Sequence, residues 1–406
     1  HAHLDQVLDT SSKICINVAD ASSNVLAKVR VEQNQNVRFL RQQVAKCLGI
    51  DLTGVQLSHG AELLSDELAL SALGICNRST VVLKPLEVVG VMLAGGEGGV
   101  AGLWQTDCSL LQRLEGHSDT VHAAAFSADG TAVVTASADG TACIWRVLDG
   151  ACLHVLRHES GVSSAVFSGK GRKVLTVCMS DCQAKIWCAE TGAHLCTLEG
   201  HETWIYCGQF SPDGLLVVTA SNDQTARIWQ VSDGSCLKIL RGHAASVNTA
   251  FFSHAGDLLL SASSDCTARI WSLADGTTSA ILTGHIRPVV KGVFRATDGI
   301  VPVRPSIALT ASSDGTGRLW SVDDGTCLHV LEGHSSALLT ADFSRDSRLV
   351  ITASLDGTAR LWTVGEGKRI CTFGGGSRHA VNAVGLSWDQ CHAATATSHG
   401  VRVWSV

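Results

Sequence analysis

Residues 200–229 read GHETWIYCGQFSPDGLLVVTASNDQTARIW, and the run SCLKIL follows at 235–240. Four short segments rich in aliphatic, aromatic and β-branched residues are separated by Gly, Pro, Asn and Asp. This is the pattern of strands joined by tight turns. The stretch therefore predicts a four-stranded antiparallel sheet whose third strand ends at Trp229.

The same unit recurs along the chain. Seven tryptophans follow one another at intervals of 42, 42, 42, 49, 42 and 42 residues: Trp145, Trp187, Trp229, Trp271, Trp320, Trp362 and Trp404. A period of about 40–45 residues indicates a repeat architecture. One such sheet cannot bury both of its faces alone, whereas sheets arranged radially can. The spacing predicts an all-β β-propeller.

Six of the seven units also keep a histidine, a strand hydroxyl, a turn aspartate and the tryptophan. The six sets are His117, Thr135, Asp139 and Trp145; His158, Thr176, Asp181 and Trp187; His201, Thr219, Asp223 and Trp229; His243, Ser261, Asp265 and Trp271; His285, Thr310, Asp314 and Trp320; and His334, Thr352, Asp356 and Trp362. With their Gly-His pairs, these residues resemble the WD40 repeat family over about residues 88–406. No repeat tryptophan is followed by the aspartate of that family's signature.

The resemblance implies a hydrogen-bonded chain in each unit, from Asp223 to His201, from His201 to Thr219, and from Thr219 to the indole of Trp229. Buried indole and imidazole groups need such partners. His, Asp and Ser or Thr also serve nucleophilic catalysis in other proteins. Recurrence in unit after unit favours a structural role, so we expect no catalytic residues, no metal, no cofactor and no enzyme activity.

Two units depart from the pattern. The second has Arg157-His158 in place of Gly-His and one extra residue before its tryptophan, which leaves Thr176 as the strand hydroxyl. The last aligns Ser377 with the histidine and His399 with the aspartate. We expect the last unit to be the least stable.

The number of blades depends on two segments. The last unit ends at Val406 after its third strand, and residues 109–114, SLLQRL, are expected to supply the fourth. Closure of this kind removes exposed strand edges and predicts seven blades within residues 108–406. Residues 87–107 form a connecting hairpin or a partial blade. Trp104 lies 41 residues before Trp145, which makes an eight-bladed ring the alternative.

Residues 12–86 follow a different pattern, and residues 1–11 are expected to be disordered. Two strands precede an amphipathic helix with Val37, Leu40, Val44 and Leu48 on one face, and two more strands follow. The order resembles ubiquitin, which implies a small α+β ubiquitin-like (β-grasp) domain. Ser58 and Lys84 stand at ubiquitin's apolar patch, Glu62 and Asn77 replace chain-forming lysines, and the Gly-Gly tail is absent.

Composition excludes several classes of function. The net charge of −6 argues against a non-specific nucleic-acid surface. No apolar run approaches the roughly 18 residues of a membrane span, and no signal core is present, so a cytoplasmic protein is expected, with the nucleus as the alternative. The chain begins at His1, which leaves the position of its natural start open.

Sixteen cysteines favour a reducing compartment in a chain of this kind. Cys152, Cys236 and Cys327 recur at one repeat position, and we expect them to pack inside. Cys178, Cys182 and Cys188 match no zinc spacing, so buried thiols are favoured over a metal site.

Residues that break the repeat are the candidates for partner binding. Trp204 lies outside the tryptophan rhythm, and Tyr206 is the one tyrosine of the chain. The alternative is packing against a neighbouring blade. Comparable positions hold Asn222, His122, Asn248, Arg287, Pro288, Leu339 and Leu355. The longer interval of 49 reflects extra residues within 294–309, which are either neutral length variation or a second site.

These observations predict a non-catalytic scaffold that binds other proteins. The propeller is expected to be a monomer within a larger complex, and the ubiquitin-like domain is expected to be a second docking module. One alternative is a ribosome-assembly factor that resembles the Notchless family, whose N-terminal module engages an AAA+ ATPase. The other is a ubiquitin-ligase substrate receptor. One receptor class carries Arg after a Trp-Asp pair, a feature that this sequence lacks.

Overall fold

The computed structural model describes most of the chain from residue 110 onward and shorter stretches before it. The described residues are 13–19, 25–32, 40, 55–59, 62–63, 80–85, 100–104, 110–147, 149–178, 180–295, 306–344, 346–374, 379–386, 392–397 and 400–406. They fall into two compact units, His1–Glu87 and Val88–Val406. Among these residues no helix is long and apolar enough to cross a membrane.

The first unit contains one five-stranded sheet. Its strands are β1 (Lys13–Ala19), β2 (Val25–Glu32), β3 (Val55–His59), β4 (Glu62–Leu63) and β5 (Thr80–Pro85). The order is β2-β1-β5-β3-β4, and β1 and β5 run parallel while the other pairs are antiparallel. Val29 and Val31 alternate along β2 and are buried, as is Leu40, which is helical. The remainder of the predicted helix, residues 1–11 and Asn77 lie outside the described residues.

The second unit begins with a hairpin of β6 (Val100–Trp104) and β7 (Leu110–Glu115), which is followed by seven consecutive sheets. The first three have β8 (Val121–Phe126), β9 (Ala132–Ser137), β10 (Thr141–Arg146) and β11 (Cys152–Arg157); β12 (Val162–Phe167), β13 (Lys173–Cys178), β14 (Ala184–Cys188) and β15 (His194–Leu198); and β16 (Ile205–Phe210), β17 (Leu216–Ser221), β18 (Ala226–Gln230) and β19 (Cys236–Leu240). All are antiparallel and paired in chain order.

Three more four-stranded sheets and one three-stranded sheet follow. Their strands are β20 (Val247–Phe252), β21 (Leu258–Ser263), β22 (Ala268–Ser272) and β23 (Thr278–Leu282); β24 (Val289–Phe294), β25 (Ile307–Ser312), β26 (Gly317–Ser321) and β27 (Cys327–Leu331); β28 (Leu338–Phe343), β29 (Leu349–Ser354), β30 (Thr358–Thr363) and β31 (Arg369–Gly374); and β32 (Ala383–Leu386), β33 (His392–Thr397) and β34 (Gly400–Ser405). Residues 296–305 of the predicted insertion, Ser377 and His399 are outside the described part of the chain.

The core lies between successive sheets. Val134 and Ile144 of the first sheet pack with Val174 and Trp187 of the second, and similar clusters join the later pairs. Because both faces of the second strand are covered in this way, β21 is buried at every position. The first strands of neighbouring sheets contact one another, while the fourth strands lie at the sheet edge.

The predicted strand exchange is wrong for the described residues. Residues 110–115 pair with 100–104, and the last sheet keeps three strands. Trp104 faces Leu110 next to a register shift, just as Trp145 faces Cys152 next to one. The hairpin therefore has the register of the third and fourth strands of a unit.

The predicted burial of the repeated cysteines is also wrong. Cys152, Cys236 and Cys327 are exposed. Each begins the fourth strand of its sheet. That strand forms the outer edge, so no neighbouring sheet covers it.

Candidate interaction face

The histidine, aspartate, hydroxyl and tryptophan form a closed chain in the first, third, fourth, fifth and sixth sheets. In the third, Nδ1 of His201 donates to Asp223 over 2.7 Å, and the Thr219 hydroxyl donates to Nε2 over 2.6 Å. The indole N–H of Trp229 donates to the same hydroxyl over 2.8 Å. The donors follow from the network, since the carboxylate can only accept.

The other four sheets repeat these contacts closely. The histidine–carboxylate distances are 3.0, 2.8, 2.8 and 2.9 Å, and the histidine–hydroxyl distances are 2.7, 2.8, 2.8 and 2.9 Å. The indoles donate over 2.8 or 2.9 Å. The histidine side chains are at most 1% exposed. A substrate has no access to them, so the arrangement suits a structural role.

In the fourth, fifth and sixth sheets, burial and pairing lower the pKa values of both the histidine and the aspartate. Burial lowers the pKa of His243, His285 and His334, although each aspartate opposes the shift. Burial alone would raise the pKa of Asp265 and Asp356, but hydrogen bonds outweigh it and lower both to about 2. In the fourth, fifth and sixth sheets the pair therefore holds a neutral imidazole beside a carboxylate at neutral pH.

The second sheet corrects the predicted set. Thr176 accepts from the indole of Trp187 over 2.8 Å, but His158 does not bond to Thr176. Its Nδ1 lies 2.9 Å from Sγ of Cys178, and its Nε2 is buried without a hydrogen-bond partner in the described structure. Asp181 instead accepts from the backbone N–H of Gln183. In the seventh sheet Thr395 accepts from Trp404 over 2.9 Å, a pair that sequence reasoning missed.

The loops that carry the Gly-His pairs and the turn aspartates define what we call the top face. Every described four-stranded sheet has a β-bulge next to this face, at the second residue of its first strand. The bulged residues are His122, Ser163, Tyr206, Asn248, Val290 and Leu339. A bulge leaves one residue unpaired and re-aims its side chain. The fold thus offers one variable position per sheet at this face.

Trp204 combines a fixed backbone with a free side chain. Its carbonyl accepts from the N–H of Asn222 and from the hydroxyl of Ser221, each over 2.9 Å. Its side chain is 56% exposed. The residues that make the same backbone contact elsewhere are small or compact: Thr120, Ser246, Pro288 and Ala337. Trp204 therefore projects an indole where the other sheets have little side chain.

Tyr206 lies beside it and belongs to a polar cluster. Its side chain is 42% exposed, and its hydroxyl donates to Oδ1 of Asn222 over 3.2 Å. Ser246 of the next sheet donates to the same oxygen over 2.5 Å. Asn222 therefore connects the aromatic pair to the fourth sheet, a link in which Ser246 was not predicted.

The remaining predicted positions are distributed over other sheets. Nδ2 of Asn248 donates to the carbonyl of Val289 over 2.8 Å, next to the half-buried Pro288. His122, Arg287 and Leu355 are exposed, and Leu339 is half-buried. Sequence reasoning missed Ile286, which is 82% exposed. A large apolar residue directly after Gly-His was the signal, since the other described Gly-His pairs are followed by Ser, Glu or Ala.

Within the described residues, no three His, Cys, Asp or Glu side chains are placed to hold a metal ion. The features available for recognition at this face are thus exposed aromatic and aliphatic groups beside polar amides and hydroxyls.

Comparison with known proteins identifies the repeats. The family described as WD domain, G-beta repeat, matches residues 108–146, 150–188, 192–230, 234–272 and 325–363. An uncharacterized WD repeat-containing protein of Schizosaccharomyces pombe is 30% identical over 137 residues, 33% of either chain. The WD repeat and SOCS box-containing protein 1 of Danio rerio is 29% identical over 94 residues, 23% of this chain and 22% of that protein.

A match of the same kind covers only a small part of a larger protein. The apoptotic protease-activating factor 1 of Danio rerio is 28% identical over 104 residues, which are 26% of this chain and 8% of that protein. The chain thus spans a third or less of the length of these relatives.

A solved structure is similar over most of the chain. The crystal structure of the computationally designed Ika8 protein matches with a TM-score of 0.67 and 26% identity, over 78% of this chain and 93% of that one. Five matched repeats and the repeated four-stranded sheets together support a WD40 β-propeller.

Proposed function

We propose that this protein is a non-catalytic scaffold whose top face holds a protein partner around Trp204 and Tyr206. WD40 domains generally mediate protein–protein interaction, and the family is generally non-enzymatic. The exposed indole of Trp204 on an anchored backbone carries the proposal. Tryptophan and tyrosine are enriched among the residues that dominate binding energy, typically about 2 kcal/mol or more each.

Anchoring of the backbone strengthens this argument. Binding costs entropy whenever side chains or loops must be ordered. The Trp204 carbonyl is already held by two hydrogen bonds, and Tyr206 is already held through Asn222. In the described residues the indole N–H of Trp204 forms no hydrogen bond, so a donor remains for the partner.

The test is capture of partners from lysate by the Trp204→Ala/Tyr206→Ala protein, with bound proteins quantified by mass spectrometry. Leu237→Ala is the matched control, because Leu237 is similarly exposed but lies on the outer strand of the same sheet. We expect the double variant to lose specific partners while Leu237→Ala keeps them, with both melting temperatures unchanged. Equal capture by all three proteins would refute this site.

The first unit is proposed as a ubiquitin-like second docking module over residues 12–86. Support comes from its sheet order, in which the parallel pair β1 and β5 is flanked by the antiparallel strands β2 and β3. Deletion of residues 1–87 should remove a subset of partners that the Trp204 variant retains. An identical set of captured proteins after deletion would remove the module from the proposal.

A ribosome-assembly factor is the second candidate, and one observation favours it. The β6–β7 hairpin has the register of the last two strands of a unit, which supports eight blades over seven. The proposed order of a ubiquitin-like domain ahead of a WD40 propeller resembles that of the Notchless family. Sedimentation of the tagged protein with pre-ribosomal particles would support this role, and sedimentation as free protein would contradict it.

A further inference from the structure

A cleft of about 770 Å³ lies between the first and second sheets, on the side opposite the top face. The turns that join the first and second strands of both sheets line it, together with the turn after β14. Its apolar wall contains Ile144, Phe167, Leu153 and Leu195. Leu153 and Leu195 are exposed although they are large and aliphatic. A cleft of this size is in the range of ligand-binding sites.

The turn of the second sheet differs chemically from its counterparts. In the first, third, fourth and sixth sheets a serine donates to a nearby turn aspartate, as Ser127 does to Asp129 over 2.6 Å and Ser344 to Asp346 over 2.7 Å. The second sheet reads SGKGRK at 168–173, so Ser168 has no such carboxylate. Lys170 stands where the first sheet has Asp129, and Arg172 follows two residues later.

This exchange leaves uncompensated positive charge at the cleft. Lys170 and Arg172 are exposed, and within the described part of the chain neither forms an ion pair. Lys173 also lines the cleft. The lining also contains two carboxylates, Asp129 and Glu190, and Asp129 accepts hydrogen bonds from Ser127 and Thr131. Three cationic side chains against two carboxylates leave the lining with a net charge of +1. The cleft therefore offers an apolar wall beside a cationic turn.

We infer that this cleft binds an acidic peptide segment of a partner protein, in which carboxylates alternate with apolar side chains. Arg172 can hold a carboxylate through two parallel N–H···O bonds, and Lys170 supplies a second charge. The apolar side chains of the segment bury Leu153 and Leu195. Both leucines lie on outer strands whose outer edges pair with no other described strand, so a chain longer than the cleft can continue past it.

The probe is a displayed library of random peptides selected on the full chain, followed by affinity measurement of the selected sequences. The test variant is Lys170→Asp/Arg172→Ser, because an aspartate at 170 restores the turn carboxylate of the neighbouring sheets and so preserves folding. Arg348→Glu is the matched control, since Arg348 occupies the same turn position in the sixth sheet. The selected peptides should be rich in acidic and apolar residues. They should bind the test variant about tenfold more weakly than the unmodified protein, and their affinity for Arg348→Glu should be unchanged.

Binding of a peptide in the cleft is measured by alkylation of the cysteine thiols, with the modified cysteines identified by mass spectrometry. Cys188 lines the cleft, and hydrogen bonding with Thr191 lowers the pKa of its thiol, which favours reaction. Bound peptide should protect Cys188 and leave the exposed Cys236 reactive. The result should be the same in the Trp204→Ala/Tyr206→Ala background, since the cleft is independent of the top face.

Selected peptides without acidic enrichment, or acidic peptides that bind the test variant equally well, overturn the inference. Decanoate is a small anionic amphiphile that represents the other kind of occupant. If decanoate protects Cys188 and no selected peptide does, the inference is also overturned and a ligand of that kind is favoured.

Discussion

Sγ of Cys178 lies 2.9 Å from Nδ1 of His158, where five other sheets bond that histidine nitrogen to an aspartate. The cause is chain length. Asp223 follows Ser221 by two residues, whereas Asp181 follows the equivalent Cys178 by three, and Asp181 accepts from the backbone N–H of Gln183 rather than from His158. Burial raises the pKa of the Cys178 thiol to about 12 and lowers that of His158 to about 4, so the pair is neutral.

Removal of the strand hydroxyl should cost more in the third sheet than in the second. Thr219→Val leaves both His201 Nε2 and the Trp229 indole without partners, whereas Thr176→Val chiefly affects Trp187. Each buried unpaired group costs about 1–3 kcal/mol. We expect a loss of about 2–5 kcal/mol for Thr219→Val and roughly half of that for Thr176→Val. Urea unfolding followed by tryptophan fluorescence measures both, and equal losses would show that His201 gains nothing from Thr219.

Acid should destabilise the second unit before its carboxylates titrate. Burial lowers the pKa of His158, His243, His285 and His334 in the folded state. Below the ordinary histidine pKa of about 6.5, the unfolded chain therefore binds protons that the folded chain does not, and stability falls as pH falls. For His158 this continues toward about pH 4. The lowered aspartate pKa values add a further loss below about pH 4.

The measurement is the free energy of unfolding between pH 7 and pH 5. His158→Gln should reduce its slope by up to about one proton. An unchanged slope would mean that His158 is protonated in the folded protein.

Truncation of the two tryptophans associated with the third sheet should cost very different amounts of stability. Trp229 is 0% exposed, and Trp229→Ala should cost about 3–5 kcal/mol through the cavity that it leaves. Trp204→Ala should change stability by less than about 1 kcal/mol, because the exposed indole packs little. Thermal unfolding of both variants checks this. A large loss for Trp204→Ala would favour packing over partner binding at this position.

The glycine of the Gly-His pair should be needed because a side chain there would clash with a buried arginine. A Cβ at Gly200, whose φ is +145°, would lie 2.7 Å from Nη1 of the buried Arg227. Gly130 has a φ of +71° and no atom within 4 Å of its Cβ position. Gly130→Ala therefore measures the cost of the positive φ alone, without a clash. We expect Gly200→Ala to cost about 2–4 kcal/mol and Gly130→Ala about 1 kcal/mol. The double variant Gly200→Ala/Arg227→Ala should lose less stability in denaturation than the sum of the two single variants, because removal of the arginine relieves the clash. Losses that add strictly would exclude the clash.

Local pattern was sufficient for the repeated sheets. The period of the tryptophans and the turn residues between strands predict β16 to β19 because turns and alternation act over a few residues. The contacts of Asp223, His201, Thr219 and Trp229 follow once the strands pair in register, and the sheets have that register. The match to the WD repeat family at residues 192–230 includes the same residues.

Other features depend on which distant segments meet. The sequence predicted that residues 109–114 would join the last sheet, but strand order is set by packing, and they pair with 100–104. The exposure of Cys152 likewise follows from the outer position of its strand. Sequence alone therefore determined the repeat, its turns and its buried polar chains, because these arise within one unit. Only the tertiary structure decided the Cys178–His158 contact, the anchoring of Trp204 and the cleft beside Arg172, because each depends on backbone positions that one unit's pattern does not specify.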